Sequence, residues 1–395
     1  MALDLGDPYE FLLSAISPPE RQSITRAILH LESLNAATIA NVDTSNSETM
    51  LALNNATDTD FDLISQITPL GYHLAALPIS PRIGKLILYG VLLRCIDPIL
   101  IIASAISAKS PFVVPFGERD AADAAKLTFM DGCSDLLTLL NVFQIWKDQF
   151  GRAPPGGSRG RQGGSWAPRR DKEEDDFCRV NFLSPSALAL IDQMRAQFLG
   201  LLQSIGFMTD SVTIETIKSC DENLYGRNIG VVKCAICAGL SPSILMVPAS
   251  DMSKSSSSGS TLSKPLQEIA LLTRRRGMPL YVHPSSVMSN CRVLDSNYMV
   301  YVEAMKTSKM YARDVSTLLP LSLAIFSGRL TCNARLGLLS VDGWIRFKAS
   351  ANVIRCLMRV RDDMEDAFIE KVLDPLAPPS EKWSQVLTCI VKCIL

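Results

Sequence analysis

Apolar positions along the chain follow two distinct rhythms. In residues 8–37, Phe11, Leu12 and Ile16, then Ile24, Ile28, Leu31 and Leu34, recur at intervals of three and four, the spacing of one helical face. Pro18-Pro19 divides this stretch into two helices, because proline cannot continue the α backbone. Residues 41–60, rich in Asn, Thr, Ser and Asp, predict a solvated loop, and Pro78 and Pro81 mark the next boundary. From residue 82 to about 207 the helical spacing returns, as in Leu136, Leu139, Leu140 and Phe143, and predicts an all-α domain. Residues 151–176 interrupt it with a Gly/Arg-rich half and an acidic half. Nothing there offsets the entropy of ordering, so a disordered surface insertion is expected. After a linker over 209–223 the period changes to two, beginning with Val231 and Lys233. It is clearest where Val300, Val302 and Ala304 alternate with Tyr301, Glu303 and Met305, predicting a strand with one buried face. A serine-rich loop over 253–263 lies inside this β region. A helix over 350–373, carrying Val353, Ile354, Leu357, Val360 and Met364, and an apolar tail over 383–395 complete the chain. The pattern is that of a multidomain α+β protein.

Composition narrows the function classes. The chain has 395 residues, 47% hydrophobic and 20% charged, which describes two or three globular domains. A net charge of −1 provides no global field for a polyanion, so any such attraction must be local. The most apolar stretch, residues 86–106, is broken by Arg94, Asp97 and Pro98, predicting two buried helices and not a membrane span. Met1 leads into Leu5-Gly6-Asp7-Pro8 with no signal-peptide pattern, so an intracellular protein, cytoplasmic or nuclear, is expected. The eleven cysteines read as reduced thiols, several in the core. Cys234-Ala-Ile-Cys237 has no second pair, and the three histidines, His30, His73 and His283, lie far apart, so core packing is favoured over a metal site. No nucleophile, base and oxyanion set stands out, and no catalytic residue is assigned.

The most informative chemistry lies in residues 283–323. A His-Pro-Ser-Ser turn with His283, Ser285 and Ser286 precedes a strand end carrying Lys306, Thr307, Ser308, Lys309, Tyr311 and Arg313. Hydroxyls and cations suit a phosphate backbone, and the aromatic ring suits a stacked base. On composition alone, an ordinary solvated strand edge has the same makeup.

The wording of the sequence adds a resemblance. Residues 283–323 resemble the C-terminal OB-fold of RNA helicases of the DEAH/RHA group. Leu70-Gly71-Tyr72-His73, Pro81-Arg82-Ile83-Gly84-Lys85, Cys95-Ile96-Asp97-Pro98, Lys109-Ser110-Pro111-Phe112, Ser134-Asp135 and Trp146 follow the family's order. So do Phe177 to Ser184, Gly206-Phe207, Ala238-Gly239-Leu240 with Pro242, and Asp342-Gly343-Trp344. The resemblance implies a partial winged helix over 1–80 with an expanded loop over 41–60. A helicase-associated (ratchet) bundle over 81–210, an OB-fold β-barrel over 224–348 and a C-terminal helical tail over 349–395 would follow. It also implies single-stranded RNA as ligand, held by His283, Ser285, Ser286, Lys306, Thr307, Ser308, Lys309, Tyr311 and Arg313. RecA-like motor domains in cis would pull the strand 3′ to 5′, and a glycine-rich-motif protein is an implied activator. The Arg-Gly half of residues 151–176 is a weaker candidate for phosphate contact than for a tolerated insertion.

The motor's own signatures are missing from this sequence. Gly84-Lys85 is followed by Leu86 and lacks the upstream glycine of a phosphate-binding loop, and neither an Asp-Glu-Ala-His box nor an arginine-finger motif occurs. ATP and Mg²⁺ are therefore expected only in the motor domains, with no cofactor in this chain. Leu136 stands where the family commonly has His, and Ser241 where it commonly has Tyr. Two readings stay open: the RNA-binding accessory region of an ATP-dependent helicase, or a stand-alone non-catalytic RNA-binding or protein-interaction module that regulates one.

Overall fold

A computed structural model describes residues 6–40, 65–151, 172–253, 260–274, 278–333, 336–378 and 380–394. The solvated loop expected over 41–60 lies outside the described residues, as do 152–171 of the expected insertion. Its acidic end does not remain irregular: Lys172–Val180 is a helix with Glu173, Glu174 and Asp175 in its first turn. Carboxylates at a helix N-terminus complement the macrodipole, and Glu174 also accepts the indole N–H of Trp146 at 3.0 Å.

The chain opens with α1 (Pro8–Leu13) and α2 (Arg21–Ser33), separated by the Pro18-Pro19 break as expected. An antiparallel ribbon follows, β1 (Ala37–Ile39) against β2 (Ser65–Ile67), and then α3 (Pro69–Ala76). The helical region contains α4 (Pro81–Leu92), α5 (Ile96–Ser107), α6 (Arg119–Thr128), α7 (Asp135–Phe150), α8 (Lys172–Val180) and α9 (Pro185–Ser204). Helices α4 and α5 are the two buried helices that the apolar run predicts. Among the described residues no single helix is long and apolar enough to cross a membrane. Helices α3 and α4 meet that test only jointly, with a bend of 111°, and α4 is buried from Ile83 to Leu92.

The expected period-two rhythm around Val231 and Lys233 is not a strand. Residues Ile229–Leu240 form helix α10, capped by the Asn228 side chain and buried from Val231 to Leu240. A segment apolar but for one lysine, Lys233, cannot distinguish a buried strand from a buried helix by period alone. Tertiary contact decides it, because α10 packs along α4. Gly239 permits the approach, since a Cβ there would collide with the Leu86 backbone. Cys234 and Cys237 lie on this helix as core thiols. Burial pushes both up, Cys237 to about 12.

Beyond α10 come β3 (Ile244–Met246), β4 (Met252–Ser253), β5 (Ser260–Leu262), β6 (Tyr281–Val282), β7 (Val293–Leu294), β8 (Tyr298–Val300), β9 (Glu303–Lys306), β10 (Met310–Arg313) and β11 (Ser316–Thr317). Their sheet orders are β6-β10-β9, β11-β8-β3 and β4-β5-β7. Of the expected serine-rich loop over 253–263, residues 254–259 lie outside the described residues, and its flanks pair as β4 and β5. The sheets wrap one core of Leu245, Leu266, Leu271, Leu280, Val282, Met288, Met299, Ala312 and Val315. Hydrogen bonding among the described residues does not close them into a barrel, so the expected OB β-barrel is present as small sheets around a common core. Helix α11 (Pro320–Phe326), the meander β12 (Leu330–Asn333), β13 (Leu338–Val341) and β14 (Ile345–Lys348), then α12 (Ala351–Leu373) and α13 (Glu381–Ile394), complete the chain. The long helix and apolar tail match the expectation, and both join the large helical core, through Met364 and Val372 on α12 and Trp383 and Leu387 on α13.

The alternation expected over 300–305 fails in an instructive way. Val300 is buried but Ala304 is exposed, because the strand breaks at Tyr301–Val302 and passes from the β3–β8–β11 sheet to β9–β10. Arg82 occupies the break, donating to the Val302 carbonyl at 2.8 Å, the Tyr301 carbonyl at 3.3 Å and Ser243 Oγ at 3.0 Å.

Lys85 is buried on α4, with no hydrogen bond or ion pair among the described residues. Its Nζ sits 6.0 Å from the Tyr89 ring centroid. Burial lowers it from 10.5 to about 8. Below pH 8 both folded and unfolded chains carry the charge and the penalty is complete. Between pH 8 and 10.5 only the unfolded chain holds the proton, so stability rises with pH; above 10.5 the penalty is gone. The displacement corresponds to about 3 kcal/mol. Lys85→Met is therefore expected to be more stable than the parent at pH 7, with the difference shrinking towards pH 10.5. Urea denaturation of both proteins across that range checks it, and a pH-independent difference would rule it out.

Candidate nucleic-acid interface

The sheet β6-β10-β9 gathers most of the residues singled out from the sequence. Tyr311 and Ala312 of β10 pair in parallel with Tyr281 and Val282 of β6, and antiparallel with Met305 and Ala304 of β9. Directly paired residues share a face and neighbours alternate. Tyr281, Tyr311 and Arg313 therefore lie on one face, while Val282 and Ala312 point into the OB core. The two tyrosine rings are tilted, with centroids 6.5 Å apart. Lys309 reaches back from the hairpin turn over Tyr281 at 4.2 Å from its centroid, within cation–π range. Thr307 and Ser308 form that turn and are exposed. Lys306 pairs with Met310, so it leaves the hairpin from the other face, at its exposed end. Glu303 pairs with Arg313 and places one carboxylate on the aromatic face.

The His-Pro-Ser-Ser turn follows β6 directly, which brings His283 to this face. Its N–H donates to the Ala312 carbonyl at 3.0 Å, and its ring meets Tyr311 edge-on at 5.6 Å. Nδ1 accepts the Ser285 N–H at 3.1 Å, which leaves the ring proton on Nε2, pointing away from the turn. Burial, then the cations Arg313, Arg119 and Lys126, hold His283 below the ordinary imidazole range. At pH 7 it is a neutral donor and a flat surface rather than a cation. Ser285 is exposed. Ser286 is buried, and its Oγ accepts the Met288 N–H at 3.1 Å, so its hydroxyl holds the turn.

Sequence reasoning missed Tyr281, and it missed the contribution of α6. Lys126 donates to the Ser285 carbonyl at 2.7 Å and sits 5.0 Å from the centroid of Phe112. These residues lie more than 150 positions from the turn in sequence, and no local signal pairs them.

A second group fixes the interface to the helical region. Residues 133–135 lie antiparallel to 315–317, with a single bridge between Ser134 and Ser316. The Asp135 N–H donates to the Val315 carbonyl, and the Thr317 N–H to the Cys133 carbonyl, each at 2.9 Å. The buried Asp135 carboxylate accepts the Val287 and Val315 N–H groups, each at 2.9 Å. Ser134 Oγ donates to Ser316 Oγ at 2.7 Å and accepts the Leu137 N–H, capping α7. The same two residues thus begin a helix and hold the ends of the His-Pro-Ser-Ser turn and of β10. Leu136 is fully buried in the helical core, and Ser241 is buried with its Oγ 2.9 Å from Ser327 Oγ. Both departures from the family pattern are core positions and lie off the interface. Among the described residues no cluster of three His, Cys, Asp or Glu side chains is placed to hold a metal ion.

A β module with cations and rings on one sheet face is thus clamped to a helical domain through the N-terminus of α7. Three family models agree in chain order. The ratchet-like helicase-associated domain matches residues 80–139, the oligonucleotide/oligosaccharide-binding fold 232–330, and the C-terminal domain in RNA helicases 337–395. The DExH-box ATP-dependent RNA helicase DExH1 of Arabidopsis thaliana is 29% identical over 100% of this chain and 33% of its own length. The human ATP-dependent DNA/RNA helicase DHX36 is 30% identical over 94% and 32%. The human ATP-dependent RNA helicase DHX29 is 27% identical over 99% and 25%. The chain belongs to the DExH/DEAH-box helicase family and corresponds to the C-terminal region of these proteins. It spans a quarter to a third of their length.

Proposed function

We propose that this chain is the RNA-binding accessory region of an ATP-dependent DEAH/RHA-type helicase, and that it grips single-stranded RNA on the β6-β10-β9 face while RecA-like domains in cis supply the motor. The observation that carries the reading is the convergence of Tyr281, Tyr311, Lys309, Arg313 and neutral His283 on one sheet face, with Lys126 at its border. Rings on which bases stack, surrounded by cations for phosphates, hold a strand without reading its sequence. Ser285, Thr307 and Ser308 offer exposed hydroxyls to ribose and phosphate. Lys306, leaving from the other face, is assigned a smaller share. Nucleotide and magnesium belong to the RecA-like lobes, and unwinding is theirs to drive.

Binding of a fluorescent oligouridylate to the full chain, measured across a salt series, tests the assignment. The Lys309→Ala/Arg313→Ala variant is expected to bind about tenfold or more weakly, with the slope of log K against log salt shallower by about 1.4, since each lost contact to a single strand removes about 0.7. Tyr311→Ala is expected to lose about 1–3 kcal/mol with little change in slope. Parent-like slopes in the double variant would remove the face from RNA binding. No RNA retention by the parent at moderate salt would leave the protein-interaction module.

A further inference from the structure

A cavity of about 580 Å³ opens between α3, α4, α11 and α12, and no residue of β6, β9 or β10 lines it. Lys85 and Tyr89 stand one turn apart on α4 and both line this space, since side chains at i and i+4 share a helix face. They are only 5% and 6% exposed. Neither the ammonium nor the phenol oxygen has a hydrogen-bond partner among the described residues. Their neighbours in the wall are matched. Arg361 donates to the Ser327 carbonyl at 2.9 Å and to Glu365 at 3.1 Å, and Arg274 lies 3.8 Å from the Asp342 carboxylate. Lys85 also differs from the other buried cations among the described residues. Arg195 pairs with Asp97 and Lys233 with Asp295, whereas Lys85 has no ion pair. Apolar surface completes the wall, including Phe326, Met364 and Phe368, whose ring stacks on Tyr89 with centroids 4.8 Å apart. Burying an ammonium and a hydroxyl without partners is costly, and one ligand oxygen group reaching both offsets that cost.

We propose that this cavity binds a small amphipathic monocarboxylate, its carboxylate held by Lys85 Nζ and Tyr89 Oη and its apolar body packed against the wall around Phe326 and Met364. The balance of charge selects a monoanion. One buried cation is unmatched, and the exposed Asp362 and Glu365 belong to the same lining, so a phosphate dianion or a polyanionic strand meets repulsion there. Burial holds Lys85 at about 8, which leaves it mostly protonated at pH 7. Burial, then the Glu365 carboxylate, pushes the Tyr89 phenol up, so it remains a donor. A bound carboxylate favours protonated Lys85. Affinity is therefore flat below pH 8 and falls by about tenfold per pH unit above it, up to the raised value of the occupied site.

Isothermal titration of the full chain with phenylacetate tests the site, with phenethyl alcohol as the neutral counterpart and uridine monophosphate as the dianion. Saturable binding of phenylacetate is expected, about tenfold or more tighter than either comparison ligand, with the pH profile given above. Lys85→Met, the variant expected to be more stable than the parent, should lose about tenfold or more in affinity, and Tyr89→Phe about tenfold. Neither variant should change the salt slope for oligouridylate, because the cavity lies apart from the β6-β10-β9 face, and failure here leaves the RNA reading untouched. Equal binding of acid and alcohol, parent-like binding by Lys85→Met, or no saturable heat would overturn the proposal. Tighter binding of uridine monophosphate would overturn it too, by giving the cavity to a nucleotide. The comparison of ligands on the parent depends on no variant folding.

Discussion

Arg195→Leu is expected to cost the fold about 3–5 kcal/mol, the range for stranding one member of a buried ion pair. Arg195 on α9 is 2% exposed, and its guanidinium is hydrogen-bonded to the Asp97 carboxylate, 5% exposed, in the first turn of α5. The pair joins two helices of the central bundle. Asp97 is held further by its own N–H, which donates to Asn223 Oδ1 at 3.0 Å. On the other side, Asp192 approaches Arg195 at 3.8 Å and binds Lys147 at 2.6 Å. Without Arg195 the Asp97 carboxylate keeps its place among apolar side chains and loses its counter-charge. The double variant Asp97→Leu/Arg195→Leu should recover most of the loss, because replacing both partners by apolar groups is nearly neutral. Urea denaturation of the two single variants and the double closes the cycle, and additive losses would refute the pairing.

Asp135→Ala is expected to cost about 2–6 kcal/mol and to weaken RNA binding at a distance. The carboxylate is the acceptor for two buried N–H groups, Val287 and Val315, and stranding buried donors costs about 1–3 kcal/mol each. Val287 is the second residue after Ser285, and Val315 ends the turn that follows Arg313. Losing both anchors frees the His-Pro-Ser-Ser turn and the end of β10 together. Hydrogen exchange at these two amides should accelerate selectively, and oligouridylate affinity should fall although Asp135 touches no ligand. Asp135→Asn, which keeps one acceptor, should lie between. Unchanged exchange at Val287 and Val315 would show that the clamp does not hold the turn.

Much of this was open to sequence reading because local rules suffice for it. Pro18-Pro19 and Pro81 end or begin helices wherever they stand. The apolar run broken by Arg94, Asp97 and Pro98 could only be two buried helices. The nine candidate RNA residues were legible as a set because they lie within thirty-one positions of one another, 283 to 313.

The rest was settled by parts of the chain that sequence keeps far apart. Residues 229–240 are apolar except for Lys233 and suit strand or helix equally; α4, meeting them through Gly239, makes them a helix. Val300 to Met305 alternate like one strand, yet Arg82 takes the carbonyls of Tyr301 and Val302 and divides them between two sheets. Parallel pairing of β6 with β10 adds Tyr281 to the aromatic face, and the hairpin register turns Lys306 away from it. Lys126 borders the site from α6, and Asp135 holds it from α7. Periodicity and capping are short-range properties of a sequence, whereas the sharing of faces, counter-charges and buried donors depends on which distant segments come into contact.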